Sequence, residues 1–173
     1  MDDRSKQHSQ HKGSYGRFLA MIATSTVVMF VLMYLNTWAW DHVYFSQTRM
    51  WMALYMGGAM AIIMLSFMLG MYSDRRKNMA IFIGALLAFV AGVGLVRSQA
   101  TIGDEAWMKA MIPHHSIAIL TSTRAELSDP RVRALADDII KAQTSEIAEM
   151  QRYIRDLAEN GDAPAGTPRD EGG

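Results

Sequence analysis

The chain has 173 residues, of which half are hydrophobic, and its 17 Lys and Arg balance its 17 Asp and Glu to a formal net charge of zero. From residue 97 onward there are 9 Lys and Arg against 13 Asp and Glu, a net charge of −4 that argues against nucleic acid as a partner. The chain has 15 methionines and no cysteine, so any site for a soft metal ion has to be built from thioethers and imidazoles.

Three long segments without a charged residue occupy most of the first hundred residues. They cover residues 18–40, 50–73 and 78–96 and are 23, 24 and 19 residues long. About 20 apolar residues in a helix cross the hydrocarbon core of a bilayer, so each segment predicts one transmembrane helix. The first segment is too long for the apolar part of a cleaved signal peptide, and no small-residue cleavage site follows it.

The basic residues around these segments predict the topology. Four precede the first segment and three lie between the second and third, whereas only Arg49 lies between the first and second. Because basic loops stay on the cytoplasmic side, the N-terminus is predicted to be cytoplasmic and the chain after residue 96 to be outside. In a bacterium this topology predicts an inner-membrane protein with a periplasmic C-terminal domain.

The loop after the first predicted span carries Asp41 and His42 near Trp38, Trp40 and Trp51. Tryptophan is enriched at membrane–water interfaces, and His42 is either a further interfacial residue or an additional ligand for a metal site in the C-terminal domain. Asp41 is its neighbour and shares both interpretations.

The second predicted span contains a row of methionines at four-residue intervals, which winds slowly around a helix as a stripe of thioethers. The stripe is either a packing surface, since methionine is apolar and adaptable, or a relay for soft metal ions across the membrane. The third span offers small residues for close helix packing at Gly84, Ala88 and Gly92. The methionine row consists of Met52, Met56, Met60, Met64 and Met68.

Two further helices are predicted after the spans. The first begins at Asp104 as its N-cap and runs to Leu127, with a kink or break expected at Pro113. Asp129 and Pro130 form a strong start signal for the second, which runs to about Glu159. The predicted domains are therefore a disordered cytoplasmic tail at 1–16, a transmembrane domain at 17–99, a periplasmic helical hairpin at 100–160 and a disordered tail at 161–173.

The second of these helices has an apolar stripe on one side and charges on the other, the pattern of a helix packed on one face. Two helices cannot enclose a core by themselves, so the hairpin is predicted to form a four-helix bundle as a homodimer or a higher homo-oligomer. The stripe consists of Val132, Leu135, Ala136, Ile139, Ile140, Gln143, Ile147, Met150, Ile154 and Leu157.

The stretch from Met108 to His115 is the strongest chemical signal. Met108, Met111 and either His114 or His115 lie three or four residues apart, so they share one face of a helix. Thioether sulfur and imidazole nitrogen together suit copper, above all Cu(I), better than iron, magnesium or calcium. The alternative is a packed core helix that contains a His pair.

The hairpin geometry supports a site there. If the chain reverses near Asp129, Met150 lies opposite Met108, and Gln143 lies opposite His115. Glu146 is one turn from both Gln143 and Met150. Met150 is therefore a further ligand candidate, and Glu146 or Gln143 is predicted to orient an imidazole.

Three strings at fixed spacing cover about 50 residues of the hairpin: Met111-Ile-Pro-His-His115-x-x-Ala118-Ile119, then Asp129-Pro130-x-Val132-Arg133-x-Leu135-Ala136, then Ile139-Ile140-x-Ala142-Gln143-x-x-Glu146-Ile147-x-x-Met150. With these strings the hairpin resembles the DUF305 family. The membrane half is also similar to a subgroup of that family with transmembrane helices.

The resemblance implies a ferritin-like helical fold, periplasmic copper binding and copper tolerance. It gives the role of candidate ligand to Met111, His114, His115 and Met150. Members of the family often carry more methionines after the His pair, where this chain has Ile117 and Thr121, so the comparison favours one or two sites per chain over multi-copper storage.

The sequence predicts a non-enzymatic, membrane-anchored copper-binding protein that serves copper tolerance or trafficking, with the bilayer, a second copy and a periplasmic copper carrier as partners. Copper ligation by neutral imidazole predicts lower occupancy at acidic pH. One alternative is an interaction module in which the hairpin drives oligomerisation without metal. The other is a ferritin-like di-metal redox enzyme, which the absence of a Glu-x-x-His pair disfavours.

Overall fold

A computed structural model describes residues 14–168 of the chain. These residues contain no β-strand, which confirms the predicted all-α class. Within the described residues the chain divides into a span unit, residues 14–31 with Met50–Gln99, and a hairpin unit, Leu32–Arg49 with residues 100–168. The helices are α1 (Tyr15–Leu32), α2 (Gln47–Phe67), α3 (Arg75–Ser98), α4 (Asp104–Arg124) and α5 (Pro130–Asn160), with a 3₁₀ turn at Trp40–His42.

The helices α1, α2 and α3 are each long and apolar enough to cross a membrane. α1 differs from the prediction at both ends. It begins at Tyr15, within the predicted tail, of which residues 1–13 lie outside the described residues. It ends at Leu32, although the uncharged segment continues to Trp40, and its 18 residues already extend about 27 Å at the helical rise of 1.5 Å. That length nearly matches the hydrocarbon core of a bilayer.

Two glycines allow the helices of the span unit to approach closely. A Cβ atom on Gly58 would lie 2.7 Å from the Ala85 carbonyl oxygen, and one on Gly92 would lie 2.9 Å from the Tyr55 Cβ. Gly84, predicted as part of the same packing surface, has nothing within 4 Å of its Cβ position. The prediction for Gly84 is therefore wrong, because that residue lines an apolar groove of about 640 Å³ instead.

We expect Gly58→Val to destabilise the span unit and Gly84→Val to leave it nearly unchanged. Both changes alter helix propensity equally, but only the first forces a side chain into backbone atoms, at a cost of about 1–3 kcal/mol. Thermal unfolding of the detergent-solubilised chain, followed by circular dichroism, measures the difference. Equal stability of the two variants would contradict the packing described here.

The hairpin unit is built on α4 and α5, and its capping residues explain the ends of α5. The Asp129 carboxylate accepts a hydrogen bond from the Arg131 backbone N–H at 2.8 Å, and Pro130 takes the first helical position. Hydrogen bonds from Arg131 hold the pKa of the Asp129 carboxyl below its usual value. α5 stops at Gly161, whose φ of 74° favours glycine. The predicted bounds of α5 are confirmed.

The buried core residues of the hairpin unit are Met108, Ile112, Ile119, Ile147 and Met150.

α4 corrects three details of its prediction. Its N-cap is Gly103, whereas Asp104 is the first helical residue, where a carboxylate favours the positive end of the helix dipole. It ends at Arg124 instead of Leu127, because Ala125 has extended backbone angles. Of the kink or break expected at Pro113 the break is wrong, because the helix continues through this fully buried proline.

Residues 33–46 connect α1 to α2 and belong to the hairpin unit, although the prediction placed them in the transmembrane domain. Ser116 of α4 is completely buried, and its hydroxyl accepts a hydrogen bond from the Trp38 backbone N–H at 2.7 Å. The same hydroxyl lies 3.0 Å from His42 Nδ1. Tyr44 packs against the hairpin core, so this connecting segment covers part of the apolar surface that α4 and α5 leave open.

The rest of the predicted α5 stripe divides into covered and exposed positions. Ala136, Ile147 and Met150 are buried, as a packed face requires. Val132 and Leu135 are 45% and 59% exposed, so these two positions near the start of α5 are only partly covered. Residues 161–168 follow α5 without helix or strand, and residues 169–173 of the predicted disordered tail lie outside the described residues.

We expect Ser116→Ala to destabilise the hairpin unit by about 1–3 kcal/mol, because it removes a fully buried hydroxyl that accepts the hydrogen bond of the Trp38 backbone N–H. Thr121→Ala is the matched control, since the exposed Thr121 hydroxyl bonds only to carbonyls of its own helix. Chemical unfolding of the two variants in detergent measures the difference. A Ser116→Ala variant as stable as the control would show that the connecting segment does not depend on this hydroxyl.

Candidate metal centre

A cavity of about 340 Å³ opens between α4 and α5, and it gathers most of the predicted ligands. Met108, Met111 and His115 line it from α4, where steps of three and four residues place them on one face. Met150 and Glu146 line it from α5. Met108 and Met150 are buried, whereas Met111 and His115 are partly buried. Three thioethers and one imidazole therefore border a single space.

The His115 ring is held at both nitrogens. Its Nδ1 lies 2.9 Å from the Met111 backbone oxygen, one turn earlier in the same helix. Its Nε2 lies 2.8 Å from Glu146 Oε2, and its side chain is 12% exposed. The Gln143 side-chain amide lies 3.5 Å from the same Glu146 oxygen. The ring thus has a fixed orientation, with Glu146 across from it on α5.

Each ring nitrogen therefore has an oxygen atom within hydrogen-bond distance. A metal ion at Nε2 would compete directly with Glu146 for that nitrogen. Glu146 is therefore the residue that any metal ion at His115 has to displace or share.

Some predicted site residues lie elsewhere. His114 is exposed and does not line the cavity, and its ring centre is 6.2 Å from that of His115. His42 directs Nδ1 at Ser116, and its Nε2 is 4.0 Å from a carboxylate oxygen of the exposed Asp41. Neither His42 nor Asp41 lines the cavity. The helix carries adjacent residues about 100° apart, which explains why only one member of the His pair faces α5.

Three cavity residues were not predicted from the sequence. Trp107, Glu149 and Tyr153 complete its lining. Trp107 precedes Met111 and His115 by four and eight residues, so helical spacing marks the same face. The sequence prediction assigned Glu146 and Gln143 to the site beside the methionines and histidines, but it did not assign Glu149 or the two aromatic residues to it.

Hard donors do not assemble a site of their own. Within residues 14–168, no group of three or more His, Cys, Asp or Glu side chains is placed to hold a metal ion. His115 and Glu146 approach each other as a pair, and the cavity is also lined by Glu149 and by the thioethers of three methionines. Thioether ligands favour soft metal ions.

The methionine row of α2 lies in the span unit, where its five members are partly buried. Met64 and Met68 pack against a core cluster of Phe18, Leu65 and Tyr72. None of these five methionines lines the apolar groove of the span unit. These contacts are what a packing role requires, and a relay role stays a prediction.

Comparison with known proteins relates this chain to a family. The sequence profile described as "Domain of unknown function (DUF305)" matches residues 94–168, which contain the whole α4–α5 hairpin. A protein of Acanthamoeba polyphaga mimivirus, "Uncharacterized protein L153", is 33% identical over 142 residues, covering 78% of this chain and 91% of the viral protein.

The chain belongs to the DUF305 family. The similarity to the viral protein is longer than the profile match, so it extends beyond the hairpin of this DUF305 protein. No solved structure matches the chain.

We expect Met150→Ala to cost about 2–5 kcal/mol of stability, because it removes a buried side chain from the hairpin core. Met150→Leu keeps the volume without the sulfur, and swaps of this kind usually cost less than about 1.5 kcal/mol. Denaturant unfolding of both variants measures the costs. If Met150→Leu is as destabilised as Met150→Ala, the side chain does not occupy the core as described.

Proposed function

We propose that this DUF305 protein is a membrane-anchored copper-binding protein whose site is the cavity between α4 and α5. The observation that carries the proposal is the gathering of Met108, Met111, Met150 and His115 around one space. Thioether and imidazole ligands select copper, with Cu(I) preferred because it is the softer ion. The protein binds and presents the ion, and no catalytic step is assigned to it.

The residues around the cavity supply what such a site needs. The Met111 carbonyl oxygen holds Nδ1, which leaves Nε2 as the nitrogen for the metal ion. Glu146 would have to give up its contact with Nε2 if the ion bound there, and its negative charge would compensate the charge of the ion. Methionine side chains are flexible enough to close on an ion from the walls of a wider cavity.

Proton release gives the site a pH dependence with a defined sign. Only an unprotonated ring nitrogen binds a metal ion, so acid competes with copper for the imidazole and copper affinity is expected to rise with pH.

The location of the site follows from the distribution of basic residues. We infer that α1, α2 and α3 cross a bacterial inner membrane with the N-terminus in the cytoplasm, which places the hairpin in the periplasm. There the protein would serve copper tolerance or trafficking, in exchange with a periplasmic copper carrier. The absence of cysteine suits an oxidising compartment, where thiol ligands are easily lost.

The test is anaerobic Cu(I) titration of the purified full chain in detergent, against a chromogenic chelator. We expect about one copper per chain for the unmodified protein. His115→Gln, and the triple change of Met108, Met111 and Met150 to Leu, should each weaken binding by about tenfold or more, since even orienting residues cost about 10- to 100-fold.

His114→Gln is the matched control, because His114 is the exposed neighbour that does not line the cavity. It should bind copper as the unmodified protein does. Equal loss in both His variants would place the site outside the cavity. No copper in the unmodified protein would reject the metal function as a whole.

The exposure of Val132 and Leu135 favours a second function, self-association of the hairpin. A second copy covering these residues would complete a four-helix bundle. If the hairpin acts only as an interaction module, Leu135→Ser should reduce the oligomer observed by light scattering, while His115→Gln should leave it unchanged. A monomer at all concentrations tested would reject this function.

A further inference from the structure

Five large apolar side chains of the connecting segment are exposed on the hairpin unit. Trp40 is the most exposed of the five, at 87%. Between residues 33 and 46 the chain contains one carboxylate, Asp41, and no Lys or Arg. Exposed large apolar side chains that lie this close together in the chain are candidates for contact with something other than water. The patch, named here the connecting-segment patch, consists of Leu35, Trp38, Trp40, Val43 and Phe45.

We propose that the connecting-segment patch binds the interfacial layer of a lipid bilayer and thereby attaches the hairpin unit to the membrane surface. The inference rests on α1 and α2 crossing a membrane, as proposed above, and it does not depend on copper. The partner is the lipid surface itself, headgroups and the first carbons of the acyl chains, and not another protein.

The length of the chain keeps the patch near the membrane boundary. Leu35 is three residues beyond the end of α1, and Phe45 is two residues before the start of α2. At no more than about 3.5 Å per residue, they lie within about 10 Å and 7 Å of the helix ends. The interfacial layer extends about 5–8 Å beyond the hydrocarbon core on each side, so both ends of the patch are confined to its neighbourhood.

The chemistry of the patch also fits that layer. Tryptophan prefers the headgroup level because its ring is apolar and its indole N–H needs a polar partner. The backbone beneath these side chains has several of its donors paired. Trp38 N–H donates to Ser116, His42 N–H to the Ala39 carbonyl and Val43 N–H to the Trp40 carbonyl. Paired donors lower the cost of contact with a medium that has little water.

The contacts of Ser116 make the attachment rigid with respect to α4. The buried hydroxyl bonds to Trp38 and His42, on either side of the exposed Trp40. The side chain of Gln151 on α5 also donates to the Asp41 carbonyl oxygen at 3.4 Å. The patch is therefore fixed to both helices of the hairpin, and lipid binding by the patch positions the hairpin as a whole.

The experiment uses single-tryptophan variants of the full chain in vesicles of phosphatidylcholine brominated near the head of its acyl chains. The four tryptophans, Trp38, Trp40, Trp51 and Trp107, are replaced by Phe except for one in each variant. With only Trp40 present, we expect strong quenching by the brominated lipid, blue-shifted emission and protection from aqueous iodide. With only Trp107 present, on α4, we expect weaker quenching by lipid and stronger quenching by iodide.

The variant with only Trp51, inside α2, separates this inference from the proposed membrane location. Quenching of Trp51 with no quenching of Trp40 would overturn the inference and leave the membrane location intact. No quenching of either would overturn both. Trp40 protected from iodide but not quenched by the brominated lipid would identify a protein partner, such as a second copy, and would also overturn the proposal.

A second measurement covers the case in which the Trp40 variant does not fold. The chain has no cysteine, so Phe45→Cys can carry a single spin label, with Asp138→Cys on exposed α5 as the control. The label at residue 45 should collide with oxygen in preference to a water-soluble nickel complex, and the label at residue 138 should show the reverse. Equal accessibility to the nickel complex at both positions would reject the proposal.

Discussion

The hydrogen bonds of the buried Ser116 hydroxyl are the constraint on which the hairpin unit depends. Two helices of the length of α4 and α5 leave part of their apolar surface open, and the connecting segment covers some of it through Tyr44. The segment can lie there because Ser116 accepts the Trp38 N–H and meets the His42 ring, so polar groups enter the interior with partners. Without this hydroxyl, the same burial would leave a backbone donor unsatisfied.

His115 lies one residue before Ser116 and faces the cavity between α4 and α5 instead of the connecting segment. The 100° step between adjacent helical residues makes this division possible: Ser116 holds the connecting segment, His115 meets Glu146, and His114 faces solvent. The continuous helix through Pro113 keeps these directions fixed. The proposed copper site therefore depends on His115, and the proposed lipid attachment depends on its neighbour Ser116. A substitution of one of these residues tests one proposal separately from the other.

Local signals predicted the hairpin well where the chemistry is local. The cap at Asp129, the proline after it and the glycine at residue 161 act within a few residues, so the bounds of α5 could be predicted from the local sequence alone. Helical spacing likewise brought Met111 and His115 to one face. The prediction for Gly84 was wrong because spacing identifies a face of small residues but not which face meets a neighbouring helix. For the same reason Val132 was predicted to lie on a packed face, although it is exposed.

By itself the sequence determined the all-α class, three helices apolar enough to cross a membrane and the residues that share each helix face. These follow from periodicity, charge and capping, which act over one or two turns. Membership of the DUF305 family is also a property of the sequence, but it rests on the likeness to related sequences. Only the tertiary structure decided that His115 and not His114 meets α5, that Glu146 holds its Nε2, and that the connecting segment belongs with the hairpin. Those choices depend on helix rotation and on which distant groups share a hydrogen bond, and no local pattern carries that information.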